Sequence, residues 1–418
     1  MNNILSLLLA SFILSCCNSR SSILYINDLS ECKTVAFYKQ VGNHQVTVCD
    51  AKLLKDTVLL PLSFLIEELQ VIKLESNKSI YVVGERDVII GEHYILIQGN
   101  MRIDNSGIPV RLFDKSGKFI ANIGGYGRGL GEYSNGIKSM QLDENNNRIY
   151  LFRHYSDHLL MYDLKGKYLG IIPFPFIFDQ CKFYVNWEEG TVMVFTSPNI
   201  ERERLPNGRS IVCPYCVWIQ NISGEVIQSI APGYYGIGLD EFPSGNSVQS
   251  CDISKIQDVF FASASTSRKD TLYHYDQIFN RLIPKFTVDF GEKNIPIHFL
   301  GELTHHYIGD IGELEMRPPY GSAVINHINF IVDKTTLKGA YYKLINDYLD
   351  NSEIDFPLFR FENSFFTLNW EPDKLLEKID KALANTKISP EKQKKLSELK
   401  KTIDINDNNY ILYAKWKN

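Results

Sequence analysis

The chain has 418 residues, 44 basic against 49 acidic side chains, a net charge of −5 and 12% aromatic residues. At about 150 residues per domain, that length suggests two or three domains, or one large all-β domain. The near balance of charge argues against nucleic acid as a partner, the composition excludes collagen-like and coiled-coil chains, and the aromatic excess favours strands over helices.

Residues 4–14 form an apolar run broken only by Ser6 and Ser11. The run has the length of a signal-peptide hydrophobic region and is too short to span a bilayer. It closes on Ile13-Leu14-Ser15-Cys16, which resembles a bacterial lipobox: an aliphatic residue, a small residue, and a thiol to receive diacylglycerol. Residues 1–15 are therefore expected to be a lipoprotein signal peptide, although Met1-Asn2-Asn3 lacks the usual Lys or Arg. Cys16 is the lipidation site this implies, and residues 16–22 are a polar tether. Acyl chains on Cys16 would hold the protein on a membrane with no spanning helix. The expected location is the cell envelope, at the outer membrane, on either its periplasmic or its surface side.

Residues 23–75 read as an extended segment. Thr34 to Lys39 and Gln45 to Val48 alternate as a small hairpin would, and a strand from this segment could close a ring by pairing with the last part of the chain. From about Ile80 onward, short alternating runs are punctuated by turn residues. Phe113-Asp114-Lys115-Ser116-Gly117-Lys118-Phe119 returns as Tyr162-Asp163-Leu164-Lys165-Gly166-Lys167-Tyr168, and more loosely as Gln220-Asn221-Ile222-Ser223-Gly224-Glu225-Val226. In each, Asp or Asn starts the turn with its side chain and Gly supplies positive φ. Gly127-Arg128-Gly129-Leu130-Gly131-Glu132-Tyr133 likewise returns as Gly236-Ile237-Gly238-Leu239-Asp240-Glu241-Phe242. A period near 50 residues with several strands per period marks the blades of a β-propeller, small sheets that must stack to bury their faces. The expected fold is all-β, a β-propeller of six blades over residues 76–418. Their bounds are near 76–124, 137–173, 180–231, 248–291, 296–345 and 353–417. The third to sixth units are weakly marked, and five or seven blades also fit. Leu375, Ile379, Leu383 and then Leu396, Leu399, Ile403 recur at helical spacing, with Ser389-Pro390 opening the second run. They predict a short helical insertion in the last blade, about 372–403.

The segment from Ile123-Gly124-Gly125-Tyr126-Gly127 through Leu130-Gly131-Glu132-Tyr133, Met140-Gln141-Leu142-Asp143, Ile149-Tyr150-Leu151 and Leu160-Met161-Tyr162-Asp163 resembles one repeat of the NHL-like propellers. Over roughly residues 58–418 the chain resembles the six-bladed-propeller lipoproteins of the Gram-negative envelope. Arg153 departs from the Asp usual in NHL repeats. The resemblance implies an architecture and hardly an activity.

Chemistry-bearing motifs are few. Gly124 to Gly131 lacks the Lys-Ser/Thr of a phosphate loop and opens no helix, so it reads as a blade connector. Gly127, Gly129, Glu132, Tyr133 and their repeats Gly236, Gly238, Glu241 and Phe242 are taken as structural, the carboxylates holding turns. Cys213-Pro214-Tyr215-Cys216 looks like a glutaredoxin motif, yet strand-like residues follow it where a helix N-terminus is needed. A local disulfide or two thiols at a strand start is the simpler reading. No metal-ligand spacing, nucleophile motif or cofactor fingerprint is present, so no catalytic residue, metal or cofactor is assigned. Arg128, Arg153, His154 and Asp157 are the candidates for a binding rim around the channel. The expected function is a membrane-anchored scaffold that binds a glycan or a protein and no nucleic acid. The alternatives are an envelope glycan hydrolase or lyase built on a propeller, and a structural or assembly lipoprotein.

Overall fold

The computed structural model describes residues 24–77, 79–82, 87–98, 109–134, 136–198, 203–204, 210–211, 213–236, 246–250, 257–263, 270–291, 295–316, 322–354 and 365–417. It is a six-bladed β-propeller. Blade 1 comprises Val88–Ile90, Tyr94–Ile97, Val110–Asp114 and Phe119–Ile123, from the inner strand outward. Blade 2 is Ile137–Asp143, Arg148–Arg153, Ser156–Tyr162 and Tyr168–Phe178, and blade 3 is Cys181–Asn186, Thr191–Thr196, Val217–Asn221 and Val226–Ile230. Blade 4 is Asn246–Gln249, Asp258–Ser263, Thr271–Asp276 and Arg281–Asp289, and blade 5 is Ile297–Glu302, His306–Met316, Ser322–Asp333 and Lys338–Ile345. Blade 6 is built from Phe365–Trp370, Tyr410–Lys415 and Gln70–Lys73, so early and late parts of the chain meet in one sheet.

The N-terminal segment is spread over three blades. Besides Gln70–Lys73 in blade 6, His44–Asp50 lies parallel to the outer strand of blade 4 and carries Ala36–Val41 outside it. Thr57–Pro61 lies parallel to the outer strand of blade 5 and carries Leu24–Tyr25. Blade 4 thus widens to six strands.

Six apolar clusters hold the ring, one at each blade interface. Ile149 and Leu151 face blade 1, while Tyr150 and Phe152 face blade 3. All four are fully buried, which is why this strand carries no polar face. Trp218 packs at right angles to Phe174 and Phe178 between blades 2 and 3, and Phe286 stacks on Tyr307 between blades 4 and 5. Between blades 5 and 6 the cluster is completed by two helices, Pro372–Leu383 and Pro390–Lys401, through Leu375, Ile379, Ala382 and Leu396. They are inserted between the first two strands of blade 6, and Ser389 caps the second by accepting the Lys392 N–H.

Five blades close their third-to-outer turn in the same way. The carboxylate or amide oxygen of Asp114, Asp163, Asn221, Asp276 or Asp333 accepts backbone N–H groups two to four residues on. In blades 1 to 3 a glycine then takes positive φ, 78° at Gly166. That glycine also lies against the preceding blade: a Cβ on Gly166 would collide with the Asn122 carbonyl oxygen, and one on Gly224 would sit 2.9 Å from Pro173 Cγ. In blades 4 and 5, Asn280 and Leu337 hold the positive-φ position.

Charge is buried between blades 4 and 5. Glu302, 4% exposed, accepts from the His274 ring and from the Lys334 ammonium, which also donates to the Thr304 carbonyl at 3.0 Å. His306 lies nearby, against Phe64 and 3.7 Å from Asp333. Burial pushes His306 down to about 4, outweighing the Asp333 carboxylate, with His305 and Lys334 adding to the depression. An unfolded histidine takes its proton near pH 6.5. The contribution of neutral His306 is therefore complete above about pH 6.5 and is lost as pH falls toward 4, a swing of about 3 kcal/mol. The expected result is that denaturant stability falls across this window in the native chain and falls less in His306→Phe. Parallel pH curves for the two would reject the assignment.

Candidate ligand-binding rim

The upper face of the ring is the one on which inner strands begin. There the second-to-third turn of blade 2 and the links between successive blades open side by side. Arg153 ends the second strand, and its guanidinium meets the His158 ring at 3.1 Å. His158 in turn holds the Asp157 carboxylate at 2.7 Å. His154 starts the turn, donates its N–H to the Gly136 carbonyl, and pairs its ring with Asp179, which follows the outer strand. Two imidazole–carboxylate pairs and one guanidinium thus share one turn. His154 and Asp179 are brought together by the length of the outer strand, Tyr168–Phe178, which carries the chain back to this face.

The connector from blade 1 to blade 2 reaches this cluster at Gly136, and its glycine-rich part packs on Tyr162 and Tyr168. Tyr133 is buried, its hydroxyl donating to the Ile123 carbonyl and accepting the Val110 N–H. Tyr162 donates to the Gly131 carbonyl. The Glu132 carboxylate accepts the Gly129 N–H at 2.8 Å and fills the space where a Gly127 side chain would stand. Gly127, Gly129, Glu132 and Tyr133 therefore shape the connector, and Tyr126, 48% exposed, lies on it beside Arg128. Of the second copy of this pattern, only Gly236 is among the described residues. Gly238, Glu241 and Phe242 lie outside the described residues, as do Cys16 and Cys251.

Of the four rim residues expected from the sequence, Arg153, His154 and Asp157 share this turn and Arg128 is on the connector instead, while Asp179 and His158 were not among them. His158 was visible as the partner of His154 at four residues. Asp179 carried no local signal, because the pairing spans a whole strand.

Two further concavities are present. A cavity of about 320 Å³ on the lower face, between blades 2 and 3, is lined by Gln141, Asp143, Asn146, Asn186, Trp187 and Glu188. At its edge the Arg148 guanidinium stacks on Trp187 at 3.8 Å, and Gln141 makes two hydrogen bonds to Val185 across the blade interface. A cavity of about 380 Å³ lies where the widened blade 4 overhangs blade 3, with Val46, Val48, Leu282 and Pro284 among its lining and Lys39, Tyr235 and Tyr273 around them. Among the described residues, no group of three or more His, Cys, Asp or Glu side chains is placed to hold a metal ion.

Cys213 and Cys216 are buried just before a strand of blade 3, and no helix follows them. Burial pushes the Cys216 thiol up to about 12. A glutaredoxin motif needs its first cysteine, here Cys213, at a helix N-terminus that lowers the thiol's pKa, and a strand follows it instead.

The family model described as a domain of unknown function, DUF4934, matches residues 44–415. The chain belongs to the DUF4934 family. Among solved structures, this DUF4934 chain is similar to a protein of Bacteroides fragilis described as exported, at 18% identity and a TM-score of 0.51, with 84% of this chain and 95% of that one covered. It is also similar to a member of the DUF4221 family from Bacteroides vulgatus, at 11% identity and a TM-score of 0.45, over 84% and 97% of the two chains. At such identities the likeness concerns the fold alone. No curated protein matches the DUF4934 chain.

Proposed function

We propose that this DUF4934 propeller is an exported, NHL-like lipoprotein of the outer membrane that binds a glycan or a protein on the upper rim of blade 2. The observation that carries the binding reading is the convergence of Arg153, His154, Asp157, His158 and Asp179 on one turn. Guanidinium, imidazole and carboxylate groups side by side suit the hydroxyl and carboxyl groups of such ligands, and Tyr126 offers a ring face for stacking. Export is supported by the apolar run ending at Cys16 and by the likeness to a Bacteroides fragilis protein described as exported.

The test is binding of the chain from residue 18 to glycan and peptide arrays, with melting temperature as a second readout. Arg153→Ala combined with His154→Ala is expected to weaken a detected ligand by about tenfold or more, the effect of losing charged contacts at the centre of a site. Unchanged affinity would move the site elsewhere. For the anchor, Cys16→Ala is expected to shift the protein from the detergent phase to the aqueous phase, and continued partition into detergent would count against lipidation.

The His154–Asp179 pair favours a second reading, an envelope glycan hydrolase or lyase, because a carboxylate-held imidazole can take up a proton. His154→Asn would then abolish product release from a glycan while leaving binding in place.

A further inference from the structure

The N-terminal segment lines the outer wall of blades 4 and 5, and it leaves large apolar side chains in solvent there. Tyr25, Phe37, Tyr38, Val41 and Leu53 are each between 45% and 49% exposed. They lie along the outer edges of two adjacent blades, where Phe37 and Tyr38, successive on one strand, point to its two faces. The Ala36–Val41 strand is the outermost of blade 4, and the Tyr38 hydroxyl donates to the Lys334 carbonyl of blade 5 at 3.0 Å. Tyr25 is on the strand added to blade 5. Exposed Lys33, Lys39, Lys52 and Lys55 stand among them and are balanced by Asp28, Glu31, Asp50 and Asp56, with Lys33 paired to Asp56 at 3.3 Å. Half-exposed tyrosines and aliphatics on a stretch without net charge suit a lipid–water boundary, with the rings among the headgroups.

The length of the chain before this wall adds a second, independent constraint. Seven residues separate Cys16 from Leu24, so even a fully extended tether spans roughly 28 Å. Leu24 is paired on the outer wall of blade 5. Acyl chains on Cys16 would therefore hold that wall within a few nanometres of the bilayer, and hold it there more tightly than any other part of the ring.

We infer that the outer wall of blades 4 and 5 rests on the bilayer that holds the anchor, so the propeller stands with blade 5 at the lipid. In a six-membered ring blade 2 is opposite blade 5, so the rim of Arg153, His154 and Asp179 lies on the side of the ring far from the membrane. The inference rests on the lipoprotein reading and assigns an orientation to the rim proposed there.

The experiment places the full-length, acylated protein in phosphatidylethanolamine–phosphatidylglycerol vesicles that contain a photoactivatable phospholipid, and maps cross-links by mass spectrometry. Cross-links are expected at Tyr25, at 36–41 and at Leu53, and not at 153–158. Phe37→Ser with Tyr38→Ser is expected to lower cross-linking of this wall about tenfold or more, the preference that burying one such ring supplies. These side chains are half exposed, and an unchanged melting temperature confirms that the variant folds. Cross-links on blades 1 to 3, or an even spread, would overturn the orientation while leaving the acylated Cys16 in place. So would a second copy or another protein shielding 36–41 from lipid. A chain whose Cys16 carries no lipid would overturn the anchor reading and the orientation with it.

Discussion

Glu302→Ala is expected to lower the stability of the propeller by about 3–5 kcal/mol, the cost of breaking a buried ion pair from one side. Glu302 is 4% exposed and is the shared partner of His274 and Lys334. Burial alone would raise its carboxyl. The His274 hydrogen bond and the positive charges of His274 and Lys334 outweigh burial and hold it below the ordinary glutamate value of 4.5. Its contribution is therefore present above that value and is lost as pH falls through the lower, folded one. Without the carboxylate, the Lys334 ammonium keeps the Thr304 carbonyl and the face of Tyr307. Glu302→Gln with Lys334→Met removes both charges and is expected to recover much of the loss, because a neutral interior does not carry an orphaned ion. Denaturant titrations of the native chain and the two variants at pH 7 check this. A loss under about 1 kcal/mol for Glu302→Ala would show that water reaches the triad, as at an exposed pair.

Gly166→Ala is expected to cost about 2–4 kcal/mol, well above the ordinary penalty for its backbone. At φ 78° a side chain costs about 1–2 kcal/mol. The remainder comes from the collision of the new Cβ with the Asn122 carbonyl, which lies on the outer strand of blade 1. Relief requires blade 2 to back away from blade 1, loosening an interface that buries Ile123, Ile149 and Tyr162 completely. Gly190→Ala is the control. Its φ is 63°, and nothing lies within 4 Å of its Cβ position. It should lose only the backbone part, about 1–2 kcal/mol. Equal losses at the two glycines would mean that the blades slide freely past one another at this turn.

The parts of this architecture that are legible in the sequence are those whose physics is local. Asp114, Asp163 and Asn221 each grip their own turn, and the glycine that follows is the residue the turn demands, so blades 1 to 3 repeat visibly. Blades 4 and 5 use the same grip through Asp276 and Asp333, but Asn280 and Leu337 stand in left-handed conformation where glycine would have shown the pattern. Neighbouring side chains tolerate that strain, and the repeat fades from the sequence. The addition of His44–Asp50 to blade 4 and Thr57–Pro61 to blade 5 is illegible for a different reason. Parallel pairing on an outer strand needs no turn and no spacing, only a free edge more than two hundred residues away. The rim divides in the same manner. Arg153 through His158 stand together in the chain, whereas Asp179 reaches them only once blade 2 has folded.

The distribution of the N-terminal strands sets an order of events during biosynthesis. Thr47 waits for Phe286, Val58 waits for Tyr342, and Val71 waits for Leu412. Residues 44–50, 57–61 and 70–73 are thus made before blade 1 and find their cross-blade partners only when blades 4, 5 and 6 are made. A chain stopped anywhere before residue 410 leaves Gln70–Lys73 with nothing to pair with and the ring open between its first and last sheets. Such a molecule exposes unpaired strand edges throughout its maturation, the condition that makes nascent β proteins prone to aggregate and dependent on holding chaperones. The latch that secures the finished ring also makes its assembly an all-or-nothing step.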